Sequence, residues 1–96
     1  MEVCHEIITS LHAFRGMLER NISAEDVEDV ITSGEVIKEY PDDKPYASKL
    51  VYKLVNKTPV HVVMAKNENN ECIIITDYVP ESDIWENDFK TKKANP

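Results

Sequence analysis

With 96 residues, the chain has room for one domain and not for two with separate cores. A hydrophobic content of 42% fits a globular protein, and only two glycines leave no flexible or low-complexity tract. The formal net charge of −7 repels nucleic acid and anionic membranes at long range, so any RNA-binding role requires a local basic patch.

The first eleven residues carry Glu2, His5 and Glu6 and no basic flank, which is too polar for a signal peptide. No apolar run approaches the ~20 residues that a membrane-spanning helix needs. The expected location is the cytoplasm, where Cys4 and Cys72 are expected as buried, reduced side chains.

Val3, Cys4, Ile7, Ile8, Leu11, Phe14 and Leu18 fall at helical spacing and predict a helix over about residues 2–20. Asn21 suits its end, because Asn tolerates the left-handed conformation used there. Gly16 inside the pattern costs roughly 1 kcal/mol against Ala and permits close packing. A second helix is signalled by Ser23 as N-cap, with Glu25 and Asp26 at the positive end of its dipole. Ala24, Val27, Val30 and Ile31 form its buried stripe, Ile22 is placed to staple against Val27, and Gly34 ends it.

From Glu35 the pattern changes to strands: Val36–Tyr40, Lys49–Val55, Val60–Ala65 and Cys72–Val79, dense in β-branched residues. A short helix is expected around Ser82–Phe89, with Trp85 and Phe89 as anchors for the C-terminal segment or as base-stacking groups. The predicted fold class is therefore α+β, with two N-terminal helices packed on one face of a four-stranded, mainly antiparallel sheet.

A loop at Asn67–Asn70 sets Lys66 opposite Glu71 and His61 opposite Thr76. A three-residue loop at Asn56–Thr58 sets Lys53 opposite His61 and keeps Lys49 and Lys53 out of the core. The second sheet face then carries Lys49, Lys53, His61, Thr76 and Tyr78. The first helix presents another polar stripe, His5, Thr9, His12, Gly16 and Glu19, with Arg15 at its border. Each cluster reads in two ways. The helix stripe is a phosphate- or carboxylate-binding site or a solvated face with Glu19 and Arg15 paired. His61 is a site residue or a hydrogen-bonded core histidine. Histidines seven apart with no further ligand do not make a metal site, and no cofactor motif is present.

Ordered motifs extend the reading. The run HAFRGMLERNIS at 12–23, then Asp26 and Val27, SGEVI at 33–37, YPDD at 40–43, PVHVV at 59–63, ITDYVP at 75–80, and Trp85 with Asp88 and Phe89, resemble the bacterial family of domain of unknown function 4258. Members of that family resemble RelE-like and BrnT-like toxins and are often found beside zinc-finger antitoxins of the MqsA type. RelE-like toxins cut mRNA without a metal, using the ribose 2′-hydroxyl as nucleophile. The resemblance implies RNA as substrate, His61 or His12 as general base, Arg15, Arg20 and Lys53 stabilising the phosphorane, and Tyr78 donating to the leaving oxygen. This chain departs from the family pattern in its acidity and in having Lys57 and Thr58 where many members carry Arg before the Pro-x-His motif. The alternative expectation is a non-catalytic interaction module of the same fold.

Overall fold

A computed structural model describes residues 3–94. The elements run β1 (Glu6–Thr9), α1 (Leu11–Arg20), α2 (Ala24–Ser33), β2 (Glu35–Tyr40), β3 (Ser48–Val55), β4 (Thr58–Lys66) and β5 (Glu71–Tyr78). The strands form one five-stranded sheet in the order β1-β5-β4-β3-β2. All neighbouring pairs are antiparallel except β1 and β5, which run parallel. The fold remains α+β, but the expected four-stranded sheet is corrected to a five-stranded mixed one.

The additional strand comes from the segment expected to begin the first helix, a start that itself lies outside the described residues. The β-branched run Ile7, Ile8 and Thr9 favours extended backbone. Ser10 then caps α1, its side chain accepting from the Ala13 N–H at 3.0 Å. Ser10 also binds back to the sheet, its N–H donating to Ile74 O and its hydroxyl to Ile75 O. The other end of α1 is as expected, with Asn21 at φ 55°, ψ 43°.

In α2, Ser23 accepts from the Asp26 N–H while Asp26 accepts from the Ser23 N–H, a full capping box. Gly34 closes the helix in extended rather than left-handed backbone. Its need for glycine is steric: a Cβ there would lie 2.7 Å from Tyr52 O on β3.

Two local features set the faces of the sheet. Asn56 and Lys57 both have positive φ, 49° and 69°, and make a two-residue hairpin turn that pairs Val55 with Thr58. The expected three-residue loop is thus one residue too long, and the slip turns every β3 side chain over. Val51 and Val55 face the helices with Val60, Val62 and Met64, while Tyr52, not Lys53, stands opposite His61. The second feature is a bulge. Met64 pairs with Ile74 but Val62 with Asp77, so β5 carries one extra residue. His61 consequently pairs with Tyr78 and Val63 with Thr76, and Lys66 pairs with Cys72 rather than Glu71.

The core lies between the helices and one sheet face: Ala13 and Met17 from α1, Val27, Val30 and Ile31 from α2, and Val62, Met64, Cys72 and Ile74 from the sheet. The segment after β5 is a series of turns, not a helix, and it folds over the opposite face. Trp85 is buried there, and Lys90 pairs with Glu35 at 3.0 Å. Trp85 and Phe89 therefore anchor the C-terminal segment. Among the described residues no helix is long and apolar enough to cross a membrane.

Cys72 is fully buried, but the expectation of reduced thiols is corrected: Cys4 and Cys72 form a disulfide across 68 residues of sequence. It ties the chain ahead of β1 to β5, supplementing a short parallel ladder. Closing a loop of that length in the unfolded chain stabilises by up to about 4 kcal/mol in the chain-entropy account. Denaturant unfolding with and without a thiol reductant should show the reduced protein less stable, with β1 amides the first to lose hydrogen-exchange protection.

Candidate functional site

Two polar centres are built into this frame, one on each face of the sheet. On the face away from the helices, Tyr52, His61 and Tyr78 form a row across β3, β4 and β5. Trp85 closes over the imidazole edge-to-face, with ring centroids 4.5 Å apart. His61 is 0% exposed, and both its nitrogens are engaged. Nε2 lies 2.6 Å from Phe89 O, and a carbonyl only accepts, so Nε2 carries the proton. Burial holds the ring below its ordinary value, against the smaller opposite effect of the Phe89 carbonyl, and keeps it neutral near pH 7. Nδ1 is then the acceptor for the Tyr78 hydroxyl at 3.2 Å. Phe89 reaches this position with φ 57°, a left-handed backbone that is costly for a bulky residue. A histidine with both nitrogens bonded and no exposed surface acts as a fastener for the C-terminal segment.

The second centre lies under α1. The bulge in β5 directs Asp77 to the helix face, opposite Val62, where it is 0% exposed. Neither carboxylate oxygen has a hydrogen-bond partner among the described residues. Directly above stands Gly16. A Cβ built on it would lie 2.9 Å from Asp77 Oδ1 and 2.9 Å from Arg20 Nη1. The absence of a side chain at Gly16 thus opens the hollow that carboxylate and guanidinium share. Burial pushes Asp77 up to about 6, against the opposing pull of Arg20 and then His12. His12, Gly16 and Arg20 follow one another at four-residue spacing, so they form one stripe along α1. Arg15 is exposed one turn on from His12.

The residues singled out from sequence therefore divide. His12 and Arg20 meet at Asp77, with Arg15 nearby on the same helix. His61 and Tyr78 meet on the opposite face. Lys53 joins neither, because the corrected register carries it to the helix side, where its Nζ binds Asp29 at 2.7 Å and Ser33 at 2.8 Å. That bond, followed by the one from Ser33, holds the Asp29 carboxyl below its ordinary value. His5 and Thr9 precede α1 and leave its stripe. Asp77 was not among the expected site residues. Its sequence signal is an acidic residue inside a β-branched strand, ITDYV, where an unpaired carboxylate has no structural reason to be.

Fold and site together define an α+β domain with both helices on one face of a mixed sheet and a buried acid beneath a basic helix stripe. The family model described as domain of unknown function (DUF4258) matches residues 9–79, and the chain belongs to that family. No curated protein and no solved structure matches. The matched span contains His12, Gly16, Arg20 and Asp77, and leaves Cys4, Trp85 and Phe89 outside it.

Two outcomes follow. Asp77 binds its proton more tightly in the folded chain than in the unfolded one, since its value is raised from 3.8 to about 6. Its contribution to stability is full at the lower value and lost as pH rises through the upper one, on the order of 3 kcal/mol in all. Asp77→Asn should flatten that loss in denaturant titrations across this range. His61→Ala should cost about 2–4 kcal/mol, by leaving a cavity and orphaning the Phe89 carbonyl, as read by thermal unfolding.

Proposed function

We propose that the protein is a toxin-like, metal-independent endoribonuclease that works from the α1 stripe rather than from His61. The observation that carries this reading is Asp77, a fully buried carboxylate without a hydrogen-bond partner, set beneath Arg20 and His12. Buried, perturbed acids next to exposed basic groups concentrate at functional sites.

In this reading His12 takes the proton of the ribose 2′-hydroxyl, and the resulting alkoxide attacks the adjacent phosphorus. The bond from phosphorus to the 5′ oxygen breaks, leaving a 2′,3′-cyclic phosphate, and the departing 5′ oxygen takes a proton from water. Arg15 and Arg20 offset the charge of the phosphorane. Tyr78 has no part in the step, since its hydroxyl is committed to His61 on the far face. Asp77 is a positioning residue. When ionised it draws the Arg20 guanidinium toward Gly16. The stripe supplies the local basic patch that a chain of net charge −7 needs for RNA. This reading includes an antitoxin of the zinc-finger MqsA type as partner and a cytoplasmic location, where thiol reductants would open the Cys4–Cys72 bridge without touching the α1 stripe.

The test is cleavage of a single-stranded RNA by purified protein in the presence of a chelator. Wild type should leave cyclic-phosphate ends, His12→Ala should lose about 100-fold or more of the rate, and Asp77→Asn should remove the pH dependence that the titration of Asp77 at about 6 gives the rate. No cleavage by the folded wild type, or undiminished cleavage by His12→Ala, overturns the reading. The second reading, a non-catalytic interaction module, is favoured by the net charge of −7, which opposes RNA at long range.

A further inference from the structure

The two helices are the same length but treat their apolar residues differently. In α2 the large apolar residues, Val27, Val30 and Ile31, are all buried. In α1, Leu11, Phe14 and Leu18 remain 64%, 49% and 68% exposed. They stand at i, i+3 and i+7, so they line one solvent-facing stripe, on the other flank of the helix from His12. Met17, three residues beyond Phe14, continues the apolar surface into a cleft of about 250 Å³ between β1, α1 and the start of α2. Ile7, Met17 and Val27 are its apolar lining, and Glu25 and Glu28, both exposed, are its acidic border.

We infer that this stripe and cleft form a docking surface for a basic amphipathic helix of a protein partner. Three large apolar side chains on one ten-residue helix exceed what isolated surface leucines explain, and they are spaced to meet the apolar side of another helix. Charge selects the occupant. Glu25 and Glu28 favour lysine or arginine on the flank of the incoming helix, and the whole chain, at −7, attracts a cationic partner. A second copy would bring the same net charge and the same acidic border to the contact. RNA would bring phosphates to Glu25 and Glu28. The surface does not depend on the ribonuclease reading, because none of its residues belongs to the His12–Arg20 stripe.

The experiment is an NMR titration of the ¹⁵N-labelled, disulfide-bonded chain with a synthetic amphipathic helix of leucine and lysine. A scrambled peptide of the same composition and an RNA oligonucleotide serve as comparators. Shifts should be confined to α1, the start of α2 and β1, and the scrambled peptide should not produce them. Leu18→Glu and the charge reversal Glu28→Lys should each weaken binding about tenfold, with unchanged thermal unfolding. Three results overturn the inference: shifts centred elsewhere, equal binding of the scrambled peptide, or occupation of the stripe by RNA. A dimer in light scattering that Leu18→Glu dissociates also overturns it, in favour of a second copy.

Discussion

The extra residue that β5 carries opposite Val63 and Met64 determines which polar groups of this molecule can meet. Without it, Asp77 and Tyr78 would exchange faces, the carboxyl lying against the His61 ring and the phenol beneath α1. With it, Tyr78 joins His61 and Tyr52 in an aromatic row, and Asp77 enters the space below Gly16. A bulge costs one ladder position and some regularity. Here it places one hydrogen-bonding group where its partner waits and one charged group where nothing satisfies it.

The two centres are energetic opposites. His61 has a partner for each nitrogen and three aromatic neighbours, so its burial is compensated at every polar atom. It fastens a C-terminal segment that has no regular structure of its own, and Trp85 and the Phe89 carbonyl depend on it. Asp77 has no such compensation. Arg20 acts on it by charge without a hydrogen bond, and burial raises it more than Arg20 and His12 lower it. A fold under selection for stability alone would place an apolar residue there. That a carboxylate occupies the position, beneath a glycine that leaves it room, is the physical reason the proposed site is placed at α1.

Much of this was legible in the sequence where a signal is local. Ser23 and Asp26 announce the capping box of α2, Asn21 the end of α1, and four of the five strands follow from β-branched density. What was not legible depended on a single residue deciding between two consistent patterns. Val3, Cys4, Ile7 and Ile8 fit a helical stripe, and only the Ser10 cap and the pairing with β5 make the segment a strand. Asn56 and Lys57 take positive φ without a glycine, so the two-residue turn carried no marker and the β3 register slipped. Lys53 was lost from the site by that slip, and Asp77 was hidden by a bulge that strict alternation cannot show. His12 and Gly16 were legible as one helical stripe, whereas Arg20 entered only with the family resemblance, although it stands four residues beyond Gly16 on α1. The disulfide had no signal beyond two distant cysteines.

α1 is the element on which these constraints converge. Its inner face, Ala13, Gly16 and Met17, must be small or flexible because β5 lies close beneath it. One outer flank carries His12, Arg15, Glu19 and Arg20 and stands above the buried acid. The other is apolar and exposed among the described residues. Helix formation explains none of this division, since lysine or glutamate at Leu11 and Leu18 would serve the helix equally well. Neither does the core, which closes without Leu11, Phe14 or Leu18. The outer surface of α1 therefore carries more than the helix and the core require, and this is why the proposed ribonuclease site is placed on the His12 flank and the proposed docking surface on the Leu18 flank.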